Sequence, residues 1–109
     1  MKVISWNIFN GQAANPTLPS PDLADSIRAT IAQMGCDLLA VQEVDEKQPR
    51  SGNVHQLEVI AEAMGAAHWG YARAVIGTPG FGWRKPTEAE KIIHSDSDQP
   101  GYGIGLASR

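Results

Sequence analysis

The 109 residues include one cysteine, Cys36, so no disulfide can form within the chain. A fold stapled by cross-links is excluded, and stability must come from buried apolar surface. Cys36 sits between Gly35 and an apolar stretch, as a small buried side chain would. No segment approaches the roughly 20 consecutive apolar residues that cross a bilayer as a helix. Residues Met1 to Asn7 hold no long apolar run ahead of a small-residue cleavage site, so no signal peptide is read there. A reducing, cytoplasmic location is the expectation. Basic charge is also scarce. The 9 Lys and Arg residues face 12 Asp and Glu, for a formal net charge of −3. No Lys/Arg run forms a stripe for nucleic acid, although a bound metal with a local patch could supply the positive field. Internal repeats and low-complexity tracts are absent.

What is present fits an ordinary globular domain: 42% hydrophobic and 19% charged residues, enough for one modest core. Lys2 to Ile8 carries Val3, Ile4, Trp6 and Ile8, all strand formers. A polar stretch with Pro16, Pro19 and Pro21 follows as a loop. Ser20 and Pro21 read as the N-cap and first residue of a helix. Its apolar face is Leu23, Ile27, Ile31 and Met34, and Gly35 stops it.

The continuous run Leu38-Leu39-Ala40-Val41 predicts a strand over residues 37–44 that is buried on both faces. A polar loop is expected over 45–53. A second amphipathic helix is read through Leu57, Ile60, Ala61 and Met64, and a third strand over 67–76. Residues 77–101 are broken by Gly77, Pro79, Gly80, Gly82, Pro86 and Pro100 and read as a long loop, with a short helix over 87–92. In the last strand, Tyr102, Ile104 and Leu106 fall on one face. Gly103, Gly105 and Ala107 fall on the other, open to close packing by another layer.

Two polar residues end strands. Asn7 closes the first and Glu43 the second. Two strands joined by one helix are usually parallel neighbours, which brings their C-terminal ends to one edge of the sheet. An amide and a carboxylate converging there suit a hard, oxygen-preferring cation such as Mg²⁺, which takes few protein ligands and keeps waters for phosphate oxygens to replace. The bland alternative is a strand-ending glutamate facing solvent.

The motifs Ile4-Ser5-Trp6-Asn7-Ile8 and Asp37-Leu38-Leu39-Ala40-Val41-Gln42-Glu43-Val44 closely resemble the endonuclease/exonuclease/phosphatase (DNase I-like) superfamily. Arg50-Ser51, His55-Gln56 and Tyr102-Gly103-Ile104-Gly105-Leu106-Ala107-Ser108-Arg109 look like later segments in the same order. The resemblance implies an α+β fold, the N-terminal half of a four-layer α/β/β/α sandwich. Residues 1–109 would be a partial domain without its C-terminal half. It further implies a metal-dependent phosphoesterase in which Glu43 ligates Mg²⁺ or Mn²⁺. Asn7 would hold the metal or a phosphate oxygen, and Tyr102 would contact the scissile phosphate. The substrate would be a phosphate ester: nucleic acid, inositol phosphate or phospholipid head group.

The departure from the family lies in what is missing. The superfamily activates water with an Asp-x-Asn motif and a late Asp-His pair, and no Asp-x-Asn occurs here. His94-Ser95-Asp96 stands before the last strand, in the wrong order and location. A complete domain of this kind needs about 200–250 residues. These residues alone are therefore expected to lack robust turnover and to leave one sheet face bare, for the missing half or a completing chain. The competing reading is a non-catalytic α+β binding module or a degenerate remnant.

Other motifs carry less. Asp96-Ser97-Asp98 lacks the glutamate a calcium loop needs at its twelfth position, where Ala107 stands. The glycine-rich stretches 77–82 and 101–105 do not join a strand to a helix as a nucleotide loop does. Trp83-Arg84-Lys85 could touch a phosphate or stack on a base, or be a solvated loop. His55 and His68 have no partner at metal-ligand spacing.

Overall fold

The computed structural model describes residues 1–11, 23–94 and 97–109. Among them are two helices and one mixed six-stranded sheet, an α+β fold. The elements run β1 (Val3–Asn7), α1 (Leu23–Met34), β2 (Leu38–Glu46), α2 (Gln56–Met64), β3 (His68–Thr78), β4 (Gly82–Arg84), β5 (Ile92–Ile93) and β6 (Gly101–Ser108). The sheet order is β1-β2-β6-β3-β4, and β5 pairs with β3. β1 and β2 are parallel neighbours, as the helix between them demands, and every other pairing is antiparallel. The Ser20–Pro21 helix start read from sequence lies outside the described residues.

The two helices cover one face of the sheet. Ile27 and Ile31 of α1 pack with Leu57, Ile60, Ala61 and Met64 of α2 against Leu39, Val41, Val44 and Tyr71 of the strands. Gly65 ends α2 in the left-handed conformation at φ 65°, returning its N–H to the carbonyls of Ala61 and Glu62. β6 alternates as expected. Its glycine side meets the helices, and a Cβ built at Gly105 would lie 2.6 Å from Leu57 Cδ2. Gly103 lies flatter still against β3, where a Cβ would fall 2.1 Å from the Ala72 carbonyl.

Two boundaries differ from the sequence reading. β2 does not stop at Val44. It continues through Asp45 and Glu46, because both carboxylates are fully buried against arginines that only the tertiary fold brings near. The 77–101 segment is also more regular than a loop, since it contributes β4 and β5 to the sheet edge. Its expected helix shrinks to one 3-10 turn at Glu88–Glu90, started by a Thr87/Glu90 capping box.

The opposite face of the sheet carries no helix among the described residues. Ala40, Gly70, Ala72, Ile92, Ile104 and Leu106 line a shallow apolar depression on it. Ile104 is 55% exposed and Leu106 49%. With extents of 36 × 36 × 19 Å, the molecule is a slab with one helical layer and one sheet. Bare apolar sheet faces drive association. The 109-residue chain in isolation is therefore expected to self-associate at micromolar concentration. Ile104→Lys together with Leu106→Lys should return it to a monomer, read by sedimentation velocity. An unchanged distribution would mean that another surface drives the association.

Candidate active-site edge

Because β1 and β2 are parallel, both end at one edge, and Asn7 is level with Gln42, one residue short of Glu43. β6 runs antiparallel to β2 and so starts at this edge with Gly101 and Tyr102. Asn7, Glu43 and Tyr102 therefore gather at one end of three adjoining strands, in the order β1, β2, β6.

A bulge sets the direction of Glu43. Val41 pairs with Gly105 and Val44 with Gly103, so Gln42 and Glu43 together oppose Ile104. Both valines point into the helical layer and are fully buried, while Gln42 and Glu43 between them are half-buried. Without the extra residue, strict alternation would send Glu43 or Val44 to the wrong face. The backbone at Glu43 is left-handed, φ 56°, a region that side-chain-bearing residues enter at a cost. The Gln42 amide donates to Ser5 Oγ at 3.2 Å across the β1–β2 pair.

Asn7 is exposed, and its Oδ1 accepts the Phe9 N–H at 3.0 Å. This closes a tight Asn turn, after which Phe9, Asn10 and Gly11 all have positive φ. The Ile8 N–H donates to the Gln42 carbonyl at 3.1 Å, extending the β1–β2 ladder past Asn7. Gln56, fully buried, ties the two strand ends together. Its Oε1 accepts the Asp45 N–H and its Nε2 donates to the Asn10 carbonyl, each at 2.8 Å.

Asp45 is level with Tyr102 and shares its face. Its carboxylate is capped by Arg50, with Nε donating to Oδ2 at 2.9 Å and Nη2 to Oδ1 at 2.7 Å. The Ser51 hydroxyl adds a third bond at 2.8 Å. The Arg50 guanidinium lies over the Tyr102 ring, 5.4 Å from Cζ to centroid. Burial pushes the Tyr102 phenol above its ordinary range, the Glu43 charge pushes it further and Arg50 opposes. Tyr102 is thus a neutral hydrogen-bond donor at physiological pH. The bond to Asp45 raises Arg50 above its already high range. Among the described residues, no three of His, Cys, Asp and Glu converge as a metal cage.

A second polar cluster lies beneath the edge, on the helical side. Glu46 takes a forked pair from Arg73, with Nε to Oε1 at 2.7 Å, and the Ser97 hydroxyl donates to Glu46 Oε2 at 2.8 Å. Arg73 Nη1 also reaches the Glu90 carbonyl at 3.0 Å. His55 is buried beside this pair, its Nε2 3.9 Å from Glu46 and its ring edge-on to Tyr71. The Tyr71 hydroxyl donates to the Val44 carbonyl at 2.8 Å, which braces the strand just beyond the bulge. Gly101 is required here, since a Cβ would fall 2.3 Å from Glu46 Oε1.

Residues from the weaker motifs stand elsewhere. His94 contacts the Trp69 carbonyl near the start of β3, the end away from this edge, and Ser95 and Asp96 lie outside the described residues. Arg84 is engaged edge-on by Glu90 with two bonds of 2.7 Å. Arg84 and the Thr87 backbone hold the Glu90 carboxyl far below the usual carboxylate range. Trp83 is exposed beside Arg84. Sequence reasoning assigned no role to Asp45 or Arg50. The Arg50-Ser51 motif was the available signal, but its meaning depends on Asp45 and Tyr102 being level across β2 and β6. Comparison with protein-family models, curated proteins and solved structures finds no match for this chain.

Proposed function

We propose that this chain supplies the metal-binding edge of an Mg²⁺-dependent phosphoesterase, as the N-terminal half of a four-layer α/β/β/α sandwich of the endonuclease/exonuclease/phosphatase type. One observation carries the reading. Glu43 is held in a strained left-handed conformation at a bulge, beside Asn7 on the neighbouring strand and on the side of Tyr102 and Arg50. The bulge would form at lower cost with glycine at this position, and strain of this kind concentrates at working sites. The bare apolar face supports the sandwich, because it is the surface a second sheet would cover.

The donor set fits the metal. Glu43 offers a carboxylate and Asn7 an amide oxygen, while among the described residues the nearby imidazole, His55, is buried beneath the edge on the helical side. That chemistry suits Mg²⁺ or Mn²⁺ better than a softer ion. Asn7 Oδ1 accepts from Phe9, and among the described residues no donor meets its second lone pair. When bound, the metal would polarise a phosphoryl oxygen and stabilise the leaving oxyanion. This chain's own residues would anchor the cation through Glu43 and orient the substrate through Asn7. Tyr102 would donate its neutral hydroxyl to a phosphate oxygen. The general base would come from the completing half. The substrate class is a phosphate ester, whether nucleic acid, inositol phosphate or phospholipid head group.

The test is hydrolysis by the complete polypeptide of a panel spanning these three classes, with Mg²⁺ and with chelator. Turnover of at least one ester, abolished by chelation and restored by Mg²⁺ or Mn²⁺, is expected. Retained turnover in chelator, or none on any ester, favours a non-catalytic binding module.

A further inference from the structure

We propose that Arg50 is the residue that receives a phosphate oxygen at this edge, with Asp45 as the positioning residue that aims it. The inference rests on reading the edge as a phosphoester site. Its ground is the way the guanidinium is divided. Two of the five N–H groups of an arginine are spent on Asp45, through Nε and Nη2. Nη1 and the second hydrogen of Nη2 have no partner among the described residues. In a planar guanidinium the Nη1/Nη2 edge points away from a carboxylate bound at the Nε/Nη2 edge.

The two partners also differ in burial. The Asp45 side chain is fully buried and the Arg50 side chain is 37% exposed. A pair kept only to neutralise charge would need no open side. Here the gripped carboxylate is inside, while the guanidinium keeps an unbonded edge among the described residues, over the Tyr102 ring and within electrostatic reach of Glu43. Ser51 Oγ donates to Asp45 Oδ2 as well, so the anchor stays hydrogen-bonded while Arg50 engages a ligand. The arrangement fixes a flexible side chain before binding, which reduces the entropy a phosphate contact must overcome. A forked donor is the geometry that a tetrahedral phosphate takes up best.

Glu43 gives the proposal a distinctive sign. Without metal its carboxylate competes with an incoming anion for the Arg50 field, so its removal should tighten metal-free phosphate binding while weakening Mg²⁺ binding. The experiment is a metal-free titration with inorganic phosphate, followed by NMR of the Arg50 Nε–H and the Tyr102 ring. Wild type should give a saturable shift at both, and Glu43→Gln should lower the apparent Kd several-fold. Arg50→Lys keeps the charge but loses the fork, and should weaken binding on the order of tenfold.

Because Arg50→Met alone would leave a buried carboxylate unpaired, the decisive variant is Asp45→Asn with Arg50→Met. It removes both charges together, and its fold is checked by the backbone amide spectrum. Loss of the saturable response in that folded variant supports the proposal. Phosphate binding equal to wild type in that variant, or no saturable shift at Arg50 in wild type and Glu43→Gln, overturns it. A separate Mg²⁺ titration reads the parent hypothesis. Phosphate response without Mg²⁺ binding sinks the metal site and leaves Arg50 standing. Mg²⁺ binding without a phosphate response at Arg50 does the reverse.

Discussion

Glu43→Gln in the complete polypeptide is expected to lower Mg²⁺-dependent phosphoester hydrolysis on the order of a hundredfold or more. The fold should barely notice. Glu43 is half-buried, and its side chain makes no hydrogen bond to the described residues. Stability should stay within about 0.5 kcal/mol, as for most substitutions of this kind. Glu43→Gly separates the two properties further. Glycine adopts φ 56° without the penalty that a Cβ incurs, and that penalty is about 1–2 kcal/mol. Part of the relief is offset by the greater backbone freedom of glycine in the unfolded chain. A net stabilisation of about 1 kcal/mol is expected in urea unfolding, alongside the same loss of hydrolysis. A chain that is more stable but inactive would identify Glu43 as a strained residue retained for its carboxylate. Hydrolysis that survives either substitution would remove Glu43 from the reaction.

Arg73→Met should cost about 3–5 kcal/mol, enough to unfold much of a small domain. The side chains of Arg73 and Glu46 are 4% and 0% exposed, and they meet through two hydrogen bonds. Methionine fills most of the volume but leaves Glu46 buried, with the Ser97 hydroxyl and the neighbouring His55 and Tyr71 as its polar surroundings among the described residues. The cost is mostly that of the stranded carboxylate rather than of the lost attraction. Glu46→Gln added to Arg73→Met should therefore recover more than half of the stability, because a neutral amide still accepts from Ser97. Equilibrium urea unfolding of the single and double variants measures this directly. A double variant as unstable as the single would mean that Arg73 acts through its bonds to the Glu90 carbonyl and Ser97 instead.

Much of the architecture could be read without coordinates, for local reasons. Ile27, Ile31 and the Leu57–Ile60–Met64 series recur at helical spacing, and Gly65 takes the left-handed conformation that ends a helix. The apolar run before Gln42 marked a strand, and one intervening helix implied that β1 and β2 would be parallel. That was enough to bring Asn7 and Glu43 to one edge. The alternation of β6 was legible too, because glycine on one side and Tyr102, Ile104 and Leu106 on the other is a period-two pattern.

Charged residues misled where their partners lay far along the chain. Asp45 and Glu46 look like the start of a polar loop. Yet both are buried in β2, because Arg50 arrives by a turn and Arg73 from a strand 27 positions away. No local composition announces such pairs. The sequence by itself determined the two helices and the four longer strands, the parallel pairing of β1 with β2 and the sharing of one edge by an amide and a carboxylate. Only the tertiary structure decided the bulge that turns Glu43 out of the helical layer and the anchoring of Arg50 beside Tyr102. Periodicity is written in neighbouring residues, whereas register, bulges and buried ion pairs exist only once distant segments lie side by side.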